Sequence, residues 1–230
     1  MNRKPHLRAT EIQELEFEGI YDVPTVARYL LATCHANTVY PVTSRTLIGW
    51  IRRGLADPAL ADIPGHDLLV AFEDVISFRV IAALRAAGVS WSRIRKAEEW
   101  LRSNTDHPRP FATQQLWTEH SEIFADFGDL LIAASKHGQI AMSLIKEFLI
   151  PIHGLQFENE VAARWEPRKH VLLDPRIQFG APCINGTRIP TRSIWDMIRA
   201  GDPQSLVENA YDITSAELTA AVEWEQQVAA

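Results

Sequence analysis

The chain has 230 residues, 47% of them hydrophobic and 23% charged, with a net charge of -6. This is ordinary composition for a globular protein, and the length allows one large domain or two small ones. No apolar run approaches the ~20 residues of a membrane span, and MNRKPHLRAT has no apolar core for a signal peptide. Two cysteines, Cys34 and Cys183, lie far apart, so neither a disulfide framework nor a zinc site is expected and a reducing cytoplasm is the default setting.

Residues 1–20 are polar with scattered acids and are expected to form a loose arm or a short helix. A helix should start near Asp22, an N-cap residue, with Pro24 in its first turn and Val26, Tyr29 and Leu30 at helical spacing. A second helix is expected from Thr43 or Ser44, both good caps, to Gly54. Residues 56–70, ADPALADIPGHDLLV, hold two prolines and a glycine and read as a wing or hairpin. FEDVISFRVIAALRAAG is a strong helix stopped by Gly88, and VSWSRIRKAEEWLRS follows as an amphipathic one with Ile94, Ala97 and Leu101 on one side. HPRP at 107–110 breaks the chain. Beyond it, QLWTEHSEIFA is expected to pair as a small hairpin and GQIAMSLIKEFLIPI to be helical up to Pro151. LQFENEVAARWEP is strand-like, with a boundary at Pro167. A short extended section and three helices complete the chain. Their expected caps are Thr191, Asp202 and Thr214, with Ser215 an alternative for the third, and Gly201 stops the first.

Charge is unevenly spread. Val23 to Gly54 contains four arginines and no carboxylate, and Arg79 to Arg102 carries six bases against Glu98 and Glu99. After Pro203 there are five acids and no Lys or Arg. A basic helix pair inside an acidic protein suits a DNA-binding module, because phosphate attraction supplies most non-specific affinity. In SRTLIGWIRRG the residues Leu47, Ile48 and Ile51 should face the protein. Arg45, Gly49 and Arg52 or Arg53 share the opposite face. A mid-helix glycine costs ~1 kcal/mol against alanine, and here it would let the helix backbone approach DNA closely. Ser44, Arg45 and Thr46 lie in the first turn, where a recognition helix meets base edges. Arg93 and Lys96 on the later helix are candidate phosphate contacts. Taken alone, an ordinary amphipathic surface helix with solubilising arginines would read the same way.

The order helix, turn, helix, wing, helix over about residues 21–103 resembles the DNA-binding domain of MerR-type regulators. The resemblance rests on VPTVARYL, PVTSRTLIGWIRRGL and VISFRVIAALRAAGVSWSRIRKAEEWL. It implies a dimer whose second helix enters the major groove. The chain departs from that pattern by the insertion ATCHANTVYPV and by a wing without the usual basic residues. VLLDPRIQFGAPCINGTRIPTRSIWDMIRAG resembles the opening of the domain of unknown function 433 family, through Gly180, Pro182, Ile184, Gly186, Thr187, Arg188, Ile189 and Pro190. The local chemistry is intelligible by itself: Asn185–Gly186 is a strong turn pair, and Pro190 ends the extended run. Members of that family are encoded beside PIN-like ribonuclease toxins.

The two resemblances together are similar to the VapB-type antitoxins of mycobacteria and related bacteria. They imply double-stranded operator DNA and a PIN-type ribonuclease toxin as partners, a homodimer, repression of the chain's own operon and no cofactor. An arginine set against the acidic cluster of such a nuclease would block it. Arg188 and Arg192 are the candidates, with Glu217 and Glu223 of the acidic last helix as contacts to a basic toxin face. Arg188 could instead pair within its own domain.

The expected fold is therefore mainly α with small β elements (α+β). It comprises an arm (1–20), a winged helix-turn-helix domain (21–104), a mixed linker or dimerisation region (105–167) and a three-helix domain (168–230). Enzymatic and metal chemistry is not expected, since there is no Gly-rich phosphate loop, no G-x-S-x-G and no H-E-x-x-H. A MerR-like one-component regulator is an alternative, with a ligand in the middle region beside Phe111, Trp117, Phe124 and Phe127. A pairing or scaffold module without a DNA role is a third reading.

Overall fold

The computed structural model describes residues 18–33, 42–54, 68–86, 88–117 and 154–229. The arm before residue 18, most of the insertion and of the wing, Phe124, Phe127 and the expected helix up to Pro151 lie outside the described residues.

The first helix, α1 (Val23–Ala32), starts where Asp22 caps it, the Asp22 carboxylate accepting from the Thr25 amide at 2.7 Å and from its hydroxyl at 2.8 Å. Helix α2 (Ser44–Arg52) is capped by Thr43, whose hydroxyl accepts from the Thr46 amide. The long helices α3 (Phe72–Ala86) and α4 (Trp91–Thr105) follow, and Ile94, Ala97 and Leu101 are buried as their spacing requires. Two short strands, β1 (Tyr21–Asp22) and β2 (Leu69–Val70), pair antiparallel and tie the approach to α1 to the approach to α3.

In the middle region Gln114–Trp117 forms one helical turn; the rest of the expected hairpin, from residue 118 on, lies outside the described residues. The Gln114 amide donates to the Glu160 carbonyl at 2.7 Å, and Thr113 bridges to Val161, so this turn is moored to the sheet. That sheet has four antiparallel strands in the order β3 (Leu155–Glu158), β4 (Val161–Arg168), β5 (Val171–Leu173), β6 (Cys183–Ile184). Asn159 and Glu160 both take positive φ, the two-residue hairpin geometry that matches strand twist. Pro167 lies inside β4, where pairing with β5 is irregular between Trp165 and Arg168. Such an irregularity is where a strand tolerates proline, so the sheet runs through the expected boundary. The described residues are thus mixed α and β, helices with two small antiparallel sheets.

Helices α5 (Thr191–Ala200), α6 (Gln204–Tyr211) and α7 (Ser215–Ala229) complete the fold. Thr214 caps α7 and Gly201 stops α5, as expected. Pro190 and Pro203 occupy the N-cap positions expected for Thr191 and Asp202. Ile184, Ile194, Val207, Ile213 and Leu218 form a small core of their own. Trp224 does not belong to it: only 1% exposed, it packs into the main core with its ring 5.6 Å from that of Tyr29.

Tyr21 joins the two ends of the chain. Its ring stands edge-on to Tyr29 at 6.4 Å, and its hydroxyl reaches the space above Gly180. The Ile20 amide donates to the Phe179 carbonyl beside it at 2.9 Å. A Cβ on Gly180 would overlap Tyr21 Oη, and Gly180 has φ +89°. Gly180→Ala should therefore cost about 3 kcal/mol in stability, combining left-handed strain with overpacking, as read by chemical denaturation.

Candidate functional site

Helix α2 buries Leu47 and Trp50, with Ile48 and Ile51 partly covered, and turns Arg45, Arg52 and Arg53 to solvent. Trp50, which the sequence pattern passed over, is 1% exposed; it packs on Phe78 at 6.1 Å and on Trp91 at 5.6 Å. Trp91 opens α4 and carries two guanidinium groups, Arg85 at 4.6 Å and Arg53 at 5.5 Å from its ring. Cation–π contact of this kind holds a long flexible cation in place. Arg45, Thr46, Gly49, Arg53 and Trp91 line a surface notch of about 330 Å³ with Trp50 at its back. Of the two alternatives, Arg53 joins Arg45 and Gly49 there; Arg52 is exposed beside it. An ideal Cβ on Gly49 would meet no atom within 4 Å.

The other candidates on this side vary. Ser44 is half-buried, and the Thr46 hydroxyl lies 2.9 Å from that of Thr43, so the cap uses it locally. Lys96 is exposed and Arg93 half-buried on α4, while Arg95 donates to the Arg53 carbonyl at 2.9 Å. Part of the basic excess noted in the sequence is internal: Arg79 is buried, and Arg102 pairs with Glu98 at 2.5 Å.

A second constellation surrounds the G-T-R-I-P turn. Thr187 donates its amide to the Ile184 carbonyl at 3.0 Å and Gly186 takes φ +81°, closing the turn that Asn185–Gly186 announced. Arg188 is exposed, and no ion pair engages its guanidinium among the described residues; its carbonyl accepts from Gln178 Nε2 at 3.2 Å. Arg192 is held by Asp196 at 3.0 Å. Glu217 accepts from the Thr214 amide and hydroxyl, both at 2.7 Å, and so completes the cap of α7. Glu223 pairs with Arg168. Cys183 is buried, and burial pushes its thiol up to about 11, which leaves it inert as a nucleophile at neutral pH.

Beneath the turn, the Thr191 hydroxyl lies 2.5 Å from Glu225 Oε1 and 3.2 Å from the Pro182 carbonyl. Glu225 is only 7% exposed, and Arg192 stands 3.9 Å away. Burial raises its pKa above the usual carboxylate value, against the opposing pull of Thr191 and Arg192. Thr25, Arg28, Thr191, Arg192 and Glu225 border a cleft of about 220 Å³ between α1 and α5. A third cavity, about 170 Å³, lies among Phe72, Glu73, Arg109, Glu158, Ala162 and Arg176. Beside it Arg109 bonds the buried Asp74 at 2.7 Å, and Phe111 is core rather than lining. Among the described residues no cluster of side chains is suited to hold a metal, and no helix is long and apolar enough to cross a membrane.

The chain is similar to proteins already known. Residues 171–224 match the family described as "Protein of unknown function (DUF433)". The chain is 27% identical over 239 residues to a protein of Mycobacterium tuberculosis (strain ATCC 25618 / H37Rv) named "Putative antitoxin VapB45", with 92% of this chain and 97% of that protein covered. The crystal structure of Rv2018 from Mycobacterium tuberculosis aligns with a TM-score of 0.66 at 23% identity, covering 88% of this chain and 96% of that one. At that identity the last likeness is one of fold.

Because the folded-state value of Glu225 lies above the unfolded one, its ionised form weakens the fold at neutral pH. The fold regains stability from this group as pH falls through the raised value toward the usual carboxylate range. Glu225→Gln keeps an acceptor for Thr191 and drops the charge. It should raise Tm slightly at pH 7, with the difference from wild type shrinking as pH is lowered, measured by thermal melts across that window.

Proposed function

We propose that the chain is a DNA-binding antitoxin that holds a PIN-type ribonuclease toxin and represses its own operon. The observation that carries the reading is the division of α2. One side is locked into the core through Leu47 and Trp50, and the other presents Arg45, Gly49 and Arg53 around an open notch. Full-length similarity to a protein named as an antitoxin supports the toxin-binding half, as does the match over the C-terminal part.

In this reading α2 enters the major groove of duplex DNA as part of a MerR-like winged helix-turn-helix, and a homodimer reads paired half-sites. Ser44, Arg45 and Thr46 meet base edges. Arg52, Arg53, Arg93 and Lys96 take phosphates, and Gly49 lets the helix axis approach. Trp91 is a positioning residue that stacks Arg53 in place. On the toxin side Arg188 is the leading contact, because Arg192, Glu217 and Glu223 each already have an intramolecular partner. Those three form the margin of the toxin contact.

A second reading, a one-component regulator with a small ligand, is favoured by the cavity beside Glu73 and Arg109. Recovery of the protein from its native cells as a dimer without a nuclease would prefer it.

The two classes of DNA contact have separable effects. Arg45→Ala should reduce operator preference by about 1–3 kcal/mol with little change in bulk affinity. Lys96→Ala should weaken all sequences alike and reduce the salt slope by about one. Binding titrations on operator and random duplexes at several salt concentrations distinguish them, and equal effects from both would remove α2 as the recognition helix. Gly49→Ala should stabilise the helix by about 0.5–1 kcal/mol while weakening operator binding, since the added methyl stands in the space kept for DNA. Denaturation and titration of the same preparation test both halves.

A further inference from the structure

Phe179 is 54% exposed, the most exposed of the large hydrophobic residues described. A lone exposed apolar side chain needs no explanation. This one differs in its backbone. Gln178 and Phe179 take φ of +52° and +55°, and Gly180 follows at +89°. A left-handed conformation at a non-glycine residue costs on the order of 1–3 kcal/mol and persists only where its surroundings enforce it. For a bulky aromatic it is a genuine outlier, whereas Asn or Gly would adopt it readily.

The surroundings do enforce it. The Phe179 carbonyl accepts from the Ile20 amide at 2.9 Å, and the Gly180 amide donates to Ile177 at 2.9 Å. Tyr21 closes over Gly180, while the Gln178 side chain donates to the Arg188 carbonyl. The strained turn is thus clamped to β1 on one side and to the G-T-R-I-P turn on the other. An aromatic ring is held in water at a position where the backbone favours a smaller residue, close to the exposed Arg188, whose guanidinium has no ion pair among the described residues. Ile20, 36% exposed, lies on the other side of the same bonded segment. Aromatic and arginine side chains are the commonest anchors of protein interfaces.

We propose that Phe179 is the apolar anchor of the face that receives the toxin, with Arg188 as its charged companion. The partner that fits is an acidic protein surface bearing an apolar notch. Burial of Phe179 supplies affinity there, and the exposed Arg188 guanidinium supplies orientation toward carboxylates. This rests on the antitoxin reading and deepens it, since neither the sequence nor the family match assigns Phe179 a role.

The test uses the full-length chain and the nuclease that co-purifies with it from native cells, identified by mass spectrometry. Affinity is measured by titration and by inhibition of the nuclease's RNA cleavage. Phe179→Asn should leave Tm unchanged or higher and DNA binding intact, yet weaken nuclease binding at least tenfold at every salt concentration. Phe179→Tyr should restore it. Arg188→Ala should also weaken binding, most at low salt, where charge attraction is least screened. Nuclease binding by Phe179→Asn within twofold of wild type overturns the anchor while leaving the antitoxin reading in place. A lowered Tm in Phe179→Asn together with lost binding assigns Phe179 to the fold and overturns the anchor as well. Recovery of no nuclease by the wild-type chain overturns the antitoxin reading and the anchor with it.

Discussion

Tyr21 can reach the C-terminal part of the chain only because position 180 has no side chain. Its ring leads from β1 to a hydroxyl set above Gly180, and the Ile20 amide bonds the Phe179 carbonyl alongside. A few residues away, Tyr29 on α1 packs against Trp224 on α7. The aromatic series Tyr21, Tyr29, Trp224 makes the helix pair near the N-terminus and the last helix parts of one core. Among the described residues, the two ends of the chain are therefore packed together in one hydrophobic core. Buried aromatic area of this size dominates packing energetics, so α1 carries both the partner of α2 and the support for α7.

That arrangement gives the proposed antitoxin two working surfaces on one body. The notch on α2 and the turn pair at Phe179 and Arg188 share no residue. They are nonetheless connected through α1, whose Arg28 and Tyr29 border the cleft at Glu225. Charge follows the same division. Arg45, Arg52 and Arg53 are exposed at α2 and Arg95 and Lys96 on α4, while three acids of the last helix have partners within the fold: Glu217 in the cap, Glu223 with Arg168, Glu225 with Thr191. For these three acids, pairing within the fold accounts for the charge.

Local chemistry made much of this legible in the sequence. Asp22, Thr43 and Thr214 cap the helices assigned to them, and Gly201 ends α5, because capping depends on residues three apart. The stripe Ile94, Ala97, Leu101 likewise reports a helix face. Contacts between distant residues left no such mark. Trp50 lies three residues after Leu47, at helical spacing for the core face, but its packing between Phe78 and Trp91 depends on distant parts of the chain. Thr191 looked like a cap, but its hydroxyl is committed to Glu225, 34 residues on. Pro167 looked like a boundary because proline interrupts strands, yet an irregularity in the pairing accommodates it. The notch residues Arg45 and Gly49 were legible from helical spacing; Trp91 and Phe179 were not, since the role of each depends on a neighbour that folding supplies.

Simultaneous binding of operator DNA and nuclease tests the central claim most directly. Light scattering on a size-exclusion column, run on the full-length chain with both partners at moderate salt, gives the composition of the complex. A bifunctional antitoxin with separate surfaces on one body gives a single ternary complex of protein, duplex and nuclease. Separate binary complexes that exclude one another, or failure to bind the duplex at any salt concentration, would contradict it.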